Sequence, residues 1–388
     1  MKHRTGGKRR WIRVALWGLL VMVLLTSTAA TVGYLHIFYG WTPRHLLPGR
    51  RLRLSFDGDS RDLSRTQIVP TLDTPIEQGK NAIWSAAFTA AWKRIEEDIV
   101  GGPVELEPAS MSAHRLNSAA DPADFLPEAC YAKAGWVEEG VLAVIARETA
   151  TRFPGRQAPR FSDIAADSLV AYAFLEAGVR FSMPYFSSRR PVIFTDCEGH
   201  ETRIQTFGVR SEDAYAYQRL RAQPRVIFRR GIEKMQMFAI DLCRNSAPNQ
   251  VVVALVERKD TLAETLAQIP ASADSQDVPP DRHGLGINDE LLVPDIFFKV
   301  RHDFSDLLGA SITNPSALGQ RIDVATQEIV FRLDRSGAEV SAEAKTYMLP
   351  VPSLYHIEGP FLVYMKKRGA ETPFFVMWVD NAELLQQW

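Results

Sequence analysis

The chain has 388 residues, a formal net charge of -1 at pH 7, 46% hydrophobic residues and 23% charged residues. This near-neutral balance argues against a strongly basic nucleic-acid binder, and no nucleic-acid partner is predicted. The length allows a sizeable core, in one large domain or two smaller ones. The cysteines Cys130, Cys197 and Cys243 are far apart, so no disulfide framework is predicted, although one bridge outside the cytoplasm stays open.

The N-terminus joins a basic flank to a long apolar run. Residues 1–13 are predicted to be a basic cytoplasmic tail, and residues 14–39 a transmembrane signal-anchor helix, because the uncharged run is long enough to cross a bilayer. The basic flank predicts the N-terminus inside the cytoplasm and the main domain outside it. The alternative is a signal peptide cleaved near Ser27–Ala30, which would leave the protein secreted.

The next segments are predicted from periodicity and composition. Residues 40–75 are polar and carry several prolines, which is typical of a linker, here leading into a domain that spans residues 76–388. Apolar residues at helical spacing predict helices over 81–100 and 138–153, with a loop over 101–129 between them. A short helix is predicted over 260–269 with Asp260 as its N-cap.

From about residue 168 the pattern changes to short runs typical of β-strands, bounded by Gly, Pro, Asn or Asp. Residues 359–367 and 372–379 flank the turn residues Arg368-Gly369-Ala370 and predict an antiparallel hairpin. Helices come early and strands late, without βαβ alternation, which favours an α+β fold. The other predicted strands lie in SLVAYAFLEAGVRF, RPVIFTD, TRIQTFGV, RVIFRR, KMQMFAIDL, NQVVVALVE, LLVPDIFFKVRHDF and TQEIVFRL.

Local motifs for catalysis are missing from the sequence. There is no GxGxxG, GxxxxGK[ST], HExxH or GxSxG string, so no enzyme activity, cofactor or metal is predicted. Asp281, His283 and Asp289 lie close together in DRHGLGIND, which we interpret as a solvated loop. A basic cluster is interpreted as a solvated strand edge and loop rather than a polyanion site; it comprises Arg219, Arg221, Arg225, Arg229, Arg230 and Lys234.

Several segments, in the same order, resemble motifs of the serpin family. GPFLVYMKKRGAETPFFVMWVDN is similar to the family's C-terminal hairpin, including the spacing of Pro360 and Pro373. LLVPDIFFKVRHDFSDLLGASIT, SLVAYAFLEAGVRFSMPYF and NAIWSAAFTAAW are similar to a strand–turn–helix, a central strand and the start of the second helix. The resemblance covers roughly four fifths of the chain and implies a large central β-sheet, further sheets, N-terminal helices and an exposed reactive loop.

The resemblance implies that residues 337–359 form the reactive loop, which would insert into the large sheet after a protease cuts it. An inserted strand needs alternate side chains that are small or apolar, and this stretch alternates in that way. The hinge residues are Gly337, Ala338, Glu339, Val340, Ser341, Ala342, Glu343 and Ala344. The candidate scissile region contains Tyr347, Leu349, Pro350, Val351 and Pro352. The residues matching the family's shutter, where the sheet opens, are Asn81, Ser85 and Gln327.

Some positions depart from the inhibitory serpin pattern. Arg335 stands where a glutamate is usual, and Gln327 stands in place of the shutter histidine, with no asparagine equivalent near Ala173. Proline follows both candidate cut sites, Leu349-Pro350 and Val351-Pro352, and proline there hinders most serine proteases.

Three functions remain open from the sequence. The first is a membrane-anchored inhibitor of an extracytoplasmic serine protease, with Leu349 or Tyr347 as the recognised side chain. The second is a non-inhibitory serpin-fold protein that binds or scaffolds a partner. The third, a membrane-tethered enzyme unrelated to serpins, is least favoured because the catalytic motifs are missing.

Overall fold

The computed structural model describes residues 53–123, 128, 130–154, 159, 161, 164–177, 179–210, 214–231, 236–270, 284–335 and 353–388. All of them belong to one unit, Leu52–Trp388. The predicted tail and anchor, residues 1–39, lie outside the described residues. Among the residues described, no helix combines the length and the apolar character needed to cross a membrane.

Most of the described regular structure is β-strand. In chain order the strands are β1 (Phe56–Asp59), β2 (Thr66–Ile68), β3 (Asn81–Ser85), β4 (Leu106–Glu107), β5 (Cys130–Trp136), β6 (Leu169–Ala177), β7 (Phe186–Ser187), β8 (Val192–Thr195), β9 (Glu201–Ile204), β10 (Thr206–Val209), β11 (Arg225–Arg230), β12 (Met237–Asp241), β13 (Asn249–Leu255), β14 (Glu290–Pro294), β15 (Ile296–Asp303), β16 (Ser311–Ile312), β17 (Ile322–Leu333), β18 (Leu354–His356), β19 (Phe361–Lys367) and β20 (Phe375–Val379).

The α-helices are fewer and mostly precede the long strands. They are α1 (Ala86–Ile95), α2 (Met111–Ser118), α3 (Val141–Arg152), α4 (Ala214–Leu220) and α5 (Leu262–Leu266). A π-helical turn at Glu96–Val100 extends α1, and short 3-10 turns lie at Ser60–Asp62, Pro315–Ala317 and Ala382–Leu384. This arrangement confirms the predicted α+β class.

The five-stranded sheet, sheet I, has the order β1-β15-β17-β6-β5. Its central pair, β6 and β17, is parallel, whereas β17 pairs antiparallel with β15 and β6 pairs antiparallel with β5. Helix α1 packs against β5 and β6 and buries almost every side chain. Sheet I therefore has one face sealed by a buried helix, as a two-layer architecture requires.

Two further large sheets accompany sheet I, together with two two-stranded sheets, β4 with β16 and β8 with β9. The seven-stranded sheet II has the order β11-β12-β13-β19-β20-β3-β2, and the four-stranded sheet III has the order β18-β14-β10-β7. Phe331 of sheet I stacks on Phe375 of sheet II with ring centroids 4.5 Å apart, so the main core lies between these two sheets. The antiparallel pairing of β19 with β20 confirms the predicted C-terminal hairpin.

The predicted helix over 81–100 is wrong at its start. Residues 81–85 form β3, which pairs with β2 and β20, and the helix begins only after Ser85. The Ser85 hydroxyl accepts a hydrogen bond from the Ala87 N–H at 3.2 Å and is therefore the true N-cap. A short apolar run fits a buried strand as well as a helix, and here strand pairing decides.

Three other boundaries differ from the sequence predictions. The linker predicted over 40–75 is wrong from Phe56 onwards, because β1 pairs with β15 and β2 pairs with β3. The loop predicted over 101–129 contains α2, capped by Ser110, whose hydroxyl accepts from the Ala113 N–H at 3.1 Å. Helix α5 is capped by Thr261 rather than Asp260, since the Thr261 hydroxyl accepts from the Glu264 N–H at 3.1 Å.

Candidate functional site

The central parallel pair of sheet I is the first element of the candidate site. We call the line between β6 and β17 the seam. Its register aligns Ala173 with Gln327 and Glu176 with Val330. Both neighbours of the pair are antiparallel, and parallel pairing is slightly less stable per residue. A strand that entered the seam antiparallel to both would replace one parallel pairing with two antiparallel ones.

The second element is the connecting segment, residues 336–352, which follows β17 in the chain and begins at a point that we call the exit. The chain is fixed just before this exit, because the Tyr185 N–H donates to the Arg335 carbonyl at 3.0 Å and Arg335 Nε donates to the Tyr185 carbonyl at 2.9 Å. The predicted hinge residues 337–344 and the scissile candidates Tyr347, Leu349, Pro350, Val351 and Pro352 lie outside the described residues.

The chain returns at Ser353 and is held there by a buried carboxylate. Asp289 is 8% exposed, and its carboxylate accepts from the Ser353 N–H at 2.6 Å and from the Gly286 N–H at 2.7 Å. Arg229 donates to the Ser353 hydroxyl. The chain then forms β18, which pairs with β14, so the exposed loop predicted over 337–359 is wrong at its C-terminal end.

These contacts correct one sequence interpretation and leave a second one standing. Asp289 was expected in a solvated loop, but it is a buried anchor; its predicted neighbours Asp281 and His283 lie outside the described residues. In the basic cluster, Arg229 contacts Ser353, and Arg221 Nη1 donates to the Leu285 carbonyl at 3.1 Å. Strand β11 is the edge strand of sheet II, and Arg229 and Arg230 are exposed, so the interpretation of a solvated strand edge is confirmed.

The connecting segment is long for the distance it crosses. The exit and the return lie at opposite ends of β14. Asp289, just before β14, binds Ser353 at the return, and Asp295, just after β14, lies opposite Asp334 at the exit. At ~3.3 Å per residue this strand puts exit and return on the order of 20 Å apart. A segment of the length of 336–352 could reach on the order of 55 Å when extended. The surplus is enough for part of the segment to form a strand elsewhere.

The shutter-like residues are not joined by hydrogen bonds to one another. Asn81 Nδ2 donates to Thr66 and Asn381, and Asn81 Oδ1 accepts from the backbone N–H groups of Asp380 and Asn381. Asn81 therefore ties sheet II to the chain after β20. Ser85 caps α1. Gln327 is 1% exposed and, within the described part of the chain, neither its Nε2 nor its Oε1 has a hydrogen-bond partner.

Replacing Gln327 with leucine is expected to raise the free energy of unfolding by about 1 kcal/mol, because a buried amide without partners costs more than an apolar side chain of similar size. Urea denaturation measures the change. Gln223→Leu is the matched control, since Gln223 is also buried but exchanges hydrogen bonds with the backbone of Met183 at 2.7 and 3.0 Å. The free energy of unfolding of Gln223→Leu should fall by about 1–3 kcal/mol. A loss of similar size in Gln327→Leu would show that the Gln327 amide is satisfied.

A cluster with metal-ligand chemistry lies elsewhere, in the turn between β8 and β9. Ligand atoms of Asp196, Glu198 and His200 lie within 4.8 Å of one another. Arg65 Nη2 already donates to Asp196 at 2.9 Å and to Glu198 at 2.8 Å, so a guanidinium supplies the positive charge. Burial and the nearby carboxylates, first Asp380, raise the pKa of the Cys197 thiol to about 11. We interpret this cluster as an ion-pair network that fixes the turn.

Comparison with known proteins finds similarity in structure but not in sequence. No protein-family profile and no curated protein matches the sequence. Human glycosylated kallistatin is 12% identical, with 78% of this chain and 92% of kallistatin covered and a TM-score of 0.47. The mouse protein-Z dependent protease inhibitor is 13% identical, with 79% and 91% covered and a TM-score of 0.46. Human thyroxine-binding globulin in complex with thyroxine is 10% identical, with 78% and 92% covered and a TM-score of 0.44.

The solved structures that are similar to this chain also include the thermophilic serpin Tengpin and Serpin48 of Tenebrio molitor. At these identities and TM-scores, function has to be inferred from the chain's own topology.

Proposed function

We propose that the protein is a divergent serpin that inhibits a serine endopeptidase outside the cytoplasm, with the connecting segment as bait. The observation that supports this most is the parallel seam between β6 and β17, from whose end the segment departs directly. Cutting the segment would free its N-terminal part, which remains covalently attached to β17 and could then move into the seam.

The direction of the chain suits this insertion. A segment that turns back after Arg335 runs antiparallel to β17. Because β6 is parallel to β17, the same segment also runs antiparallel to β6. Every backbone N–H and C=O of a strand in this position has a partner on one side or the other. At about 1 kcal/mol net for each hydrogen bond, a strand of ten residues would gain on the order of 10 kcal/mol.

The small side chains of the segment suit the core face of the seam. One face presents Ala171 and Ala173, which belong to the main core, and small residues of an inserted strand would meet them. The residues assigned to that face are Ala338, Val340, Ala342 and Ala344. The intervening residues Glu339, Ser341 and Glu343 would point to the other face. One register thus separates small from charged side chains.

Inhibition is tested with the purified full chain and a panel of serine proteases that accept large apolar or aromatic residues. The expected product is a covalent adduct that survives a denaturing gel, with mass spectrometry placing the cut after Tyr347, Leu349 or Val351. Ala342→Arg should abolish the adduct and leave only cleaved chain, because a long charged side chain would have to enter the core face of the seam.

The matched control is Glu343→Arg, one residue further along the segment. Its side chain would point to the opposite face, so adduct formation should persist. Equal loss of the adduct in both variants would contradict the proposed register. Cleavage of the wild-type chain by every protease without any adduct would remove the inhibitor function.

The second candidate function is a non-inhibitory serpin-fold protein that binds or scaffolds a partner. Pro350 and Pro352, which follow the candidate cut sites, favour it because proline lacks the N–H and fixes φ. In this case the chain resists cleavage at the predicted bonds. Pro350→Ala and Pro352→Ala would then allow the cut without producing an adduct.

We further propose that residues 14–39 anchor the chain in a membrane with the domain outside the cytoplasm. The proposal is supported by the uncharged run and its basic flank. Carbonate extraction followed by added protease on intact cells tests both parts. The anchored chain stays in the membrane pellet and is degraded from outside, whereas a secreted chain appears in the medium.

A further inference from the structure

A pair of buried carboxylates lies at the exit of the connecting segment. Ile296 is paired with Leu333 in the antiparallel register of β15 and β17, which places the next residues, Asp295 and Asp334, opposite one another. Asp295 is 4% exposed and Asp334 is 5% exposed. Like charges directly opposite across antiparallel strands destabilise the pair, and burial strengthens the effect.

The two carboxylates have different surroundings. Asp334 Oδ2 accepts a hydrogen bond from Arg332 Nε at 2.6 Å. Asp295 Oδ1, in contrast, has no hydrogen-bond partner within the described part of the chain. Arg335 and Arg332 attract Asp295 electrostatically, but Arg335 Nε is bonded to the Tyr185 carbonyl and the Arg332 side chain is half exposed. Burial with one carboxyl oxygen unsatisfied favours the neutral, protonated form of Asp295.

The other elements packed against Asp295 contribute backbone groups. Its N–H donates to the Gln205 carbonyl, and its carbonyl accepts from the Gln386 N–H. Burial first, and the Asp334 carboxylate second, raise the pKa of Asp295 to about 7. Arg335 and Arg332 act in the opposite direction. The group therefore changes charge near neutral pH, at the point where the connecting segment leaves the sheet.

We propose that Asp295 and Asp334 form a proton-dependent latch that keeps the exit of the connecting segment closed in mildly acidic conditions and loosens it as the pH rises towards neutral. The latch would control how readily the segment enters the seam, and in that role it rests on the proposed function. As a property of the uncut protein it stands on the geometry of the two carboxylates.

The direction of the pH effect on the latch follows from the number of protons that each form binds. When the exit opens, Asp295 meets water and its pKa falls back towards the usual ~3.9. Between about pH 4 and pH 7 the closed exit therefore holds more protons than the open exit, and raising the pH favours opening. Above about pH 7 both forms are ionised and the effect levels off. The stabilisation of the closed form is complete below pH ~4 and is lost as the pH rises to about 7.

Hydrogen exchange followed by mass spectrometry on the uncut full chain tests the latch at pH 5.5 and pH 8.5. After correction for the intrinsic pH dependence of exchange, opening in peptides covering 329–335 and 183–187 should rise about tenfold to thirtyfold. The β19–β20 hairpin, residues 361–379, is the internal reference and should not change. Equal responses in the exit peptides and in the hairpin would overturn the proposal.

Asp295→Asn should remove the pH response, and Asp57→Asn, on the edge strand β1, should leave it intact. The first variant also separates the latch from His356, which lies beside Glu290 at 3.3 Å on sheet III. A persistent response in Asp295→Asn contradicts the latch, and if that variant fails to fold, the wild-type pH series still decides. No cut is made, so a failed latch is distinguishable from failed insertion, which is measured only after cleavage.

Discussion

The variant Gly208→Ala is expected to lose at least about 4 kcal/mol of unfolding free energy and to fold poorly. Gly208 lies in β10, opposite Leu292 of β14. A Cβ atom at this position would lie 1.7 Å from the Leu291 carbonyl oxygen and 2.7 Å from the Leu291 carbonyl carbon. Both atoms are backbone, so no rotamer change relieves the clash and the two strands must separate.

Loss of the β10–β14 pairing would also disturb the candidate site. Strand β14 also pairs with β18, just after the return of the connecting segment, and it is flanked by Asp289 and Asp295. Urea denaturation of Gly208→Ala against Gly102→Ala measures the effect. A Cβ on Gly102 meets no atom within 4 Å, so that control should stay within about 0.5 kcal/mol of the wild type. Similar stabilities for the two variants would show that β10 and β14 are not packed this closely.

A disulfide across the seam should abolish any stabilisation that follows cleavage of the connecting segment. Glu176 and Val330 are partners in the parallel register of β6 and β17, and Glu176 is exposed, so cysteines at both positions are placed to be oxidised and reduced. Neighbouring strands are ~4.8 Å apart, within the Cα separation that a disulfide requires. A covalent link between the two strands leaves no room for a third strand between them.

The matched control keeps the cysteine at position 330 and places the second cysteine at position 299 instead of 176. Val330 also faces Lys299 on β15, so Lys299→Cys with Val330→Cys links β17 to the neighbour that it keeps during insertion. Both pairs are built with Cys197→Ser, because Cys197 is an exposed free thiol. The oxidised seam variant should show no rise in melting temperature after the cut, and reduction should restore the rise. Loss of the rise in the β15–β17 control as well would show that the disulfides act on something other than the seam.

Two elements of the fold could be predicted from the sequence because their signal is local. The β19–β20 hairpin follows from two apolar runs joined by Arg368-Gly369-Ala370, and the structure pairs them as expected. Helix α3 follows from regular apolar spacing over 138–153. Turn residues or a regular spacing of apolar residues mark these elements in the local sequence.

Local sequence failed where partners far along the chain decide the structure. Strand β3 has an apolar run that fits a helix equally well, and only its pairing with β2 and β20 makes it a strand. Asp289 sits among turn residues that are typical of a solvated loop, and its partner Ser353 becomes adjacent only through the pairing of β14 with β18. A capping signal at Ser110 was available for α2, although the surrounding Pro, Ser and Ala favoured a loop.

The contacts of the candidate site residues likewise depend on how distant strands pair. The resemblance assigned Gln327 to the shutter, and the register of the seam shows that it is paired with Ala173. Nothing local in the sequence indicates that Asp295 and Asp334 face one another, because that contact depends on how β15 and β17 pair. Asn81 was grouped with Gln327, but its hydrogen bonds all go to groups outside sheet I.

Insertion of the connecting segment into the seam is tested most directly by the melting temperature of the full chain before and after a single cut between Lys345 and Leu354. The gain of on the order of 10 kcal/mol from an added central strand predicts a rise on the order of 20 °C. A cut chain that melts at the temperature of the intact chain would contradict insertion, and with it the inhibitory mechanism.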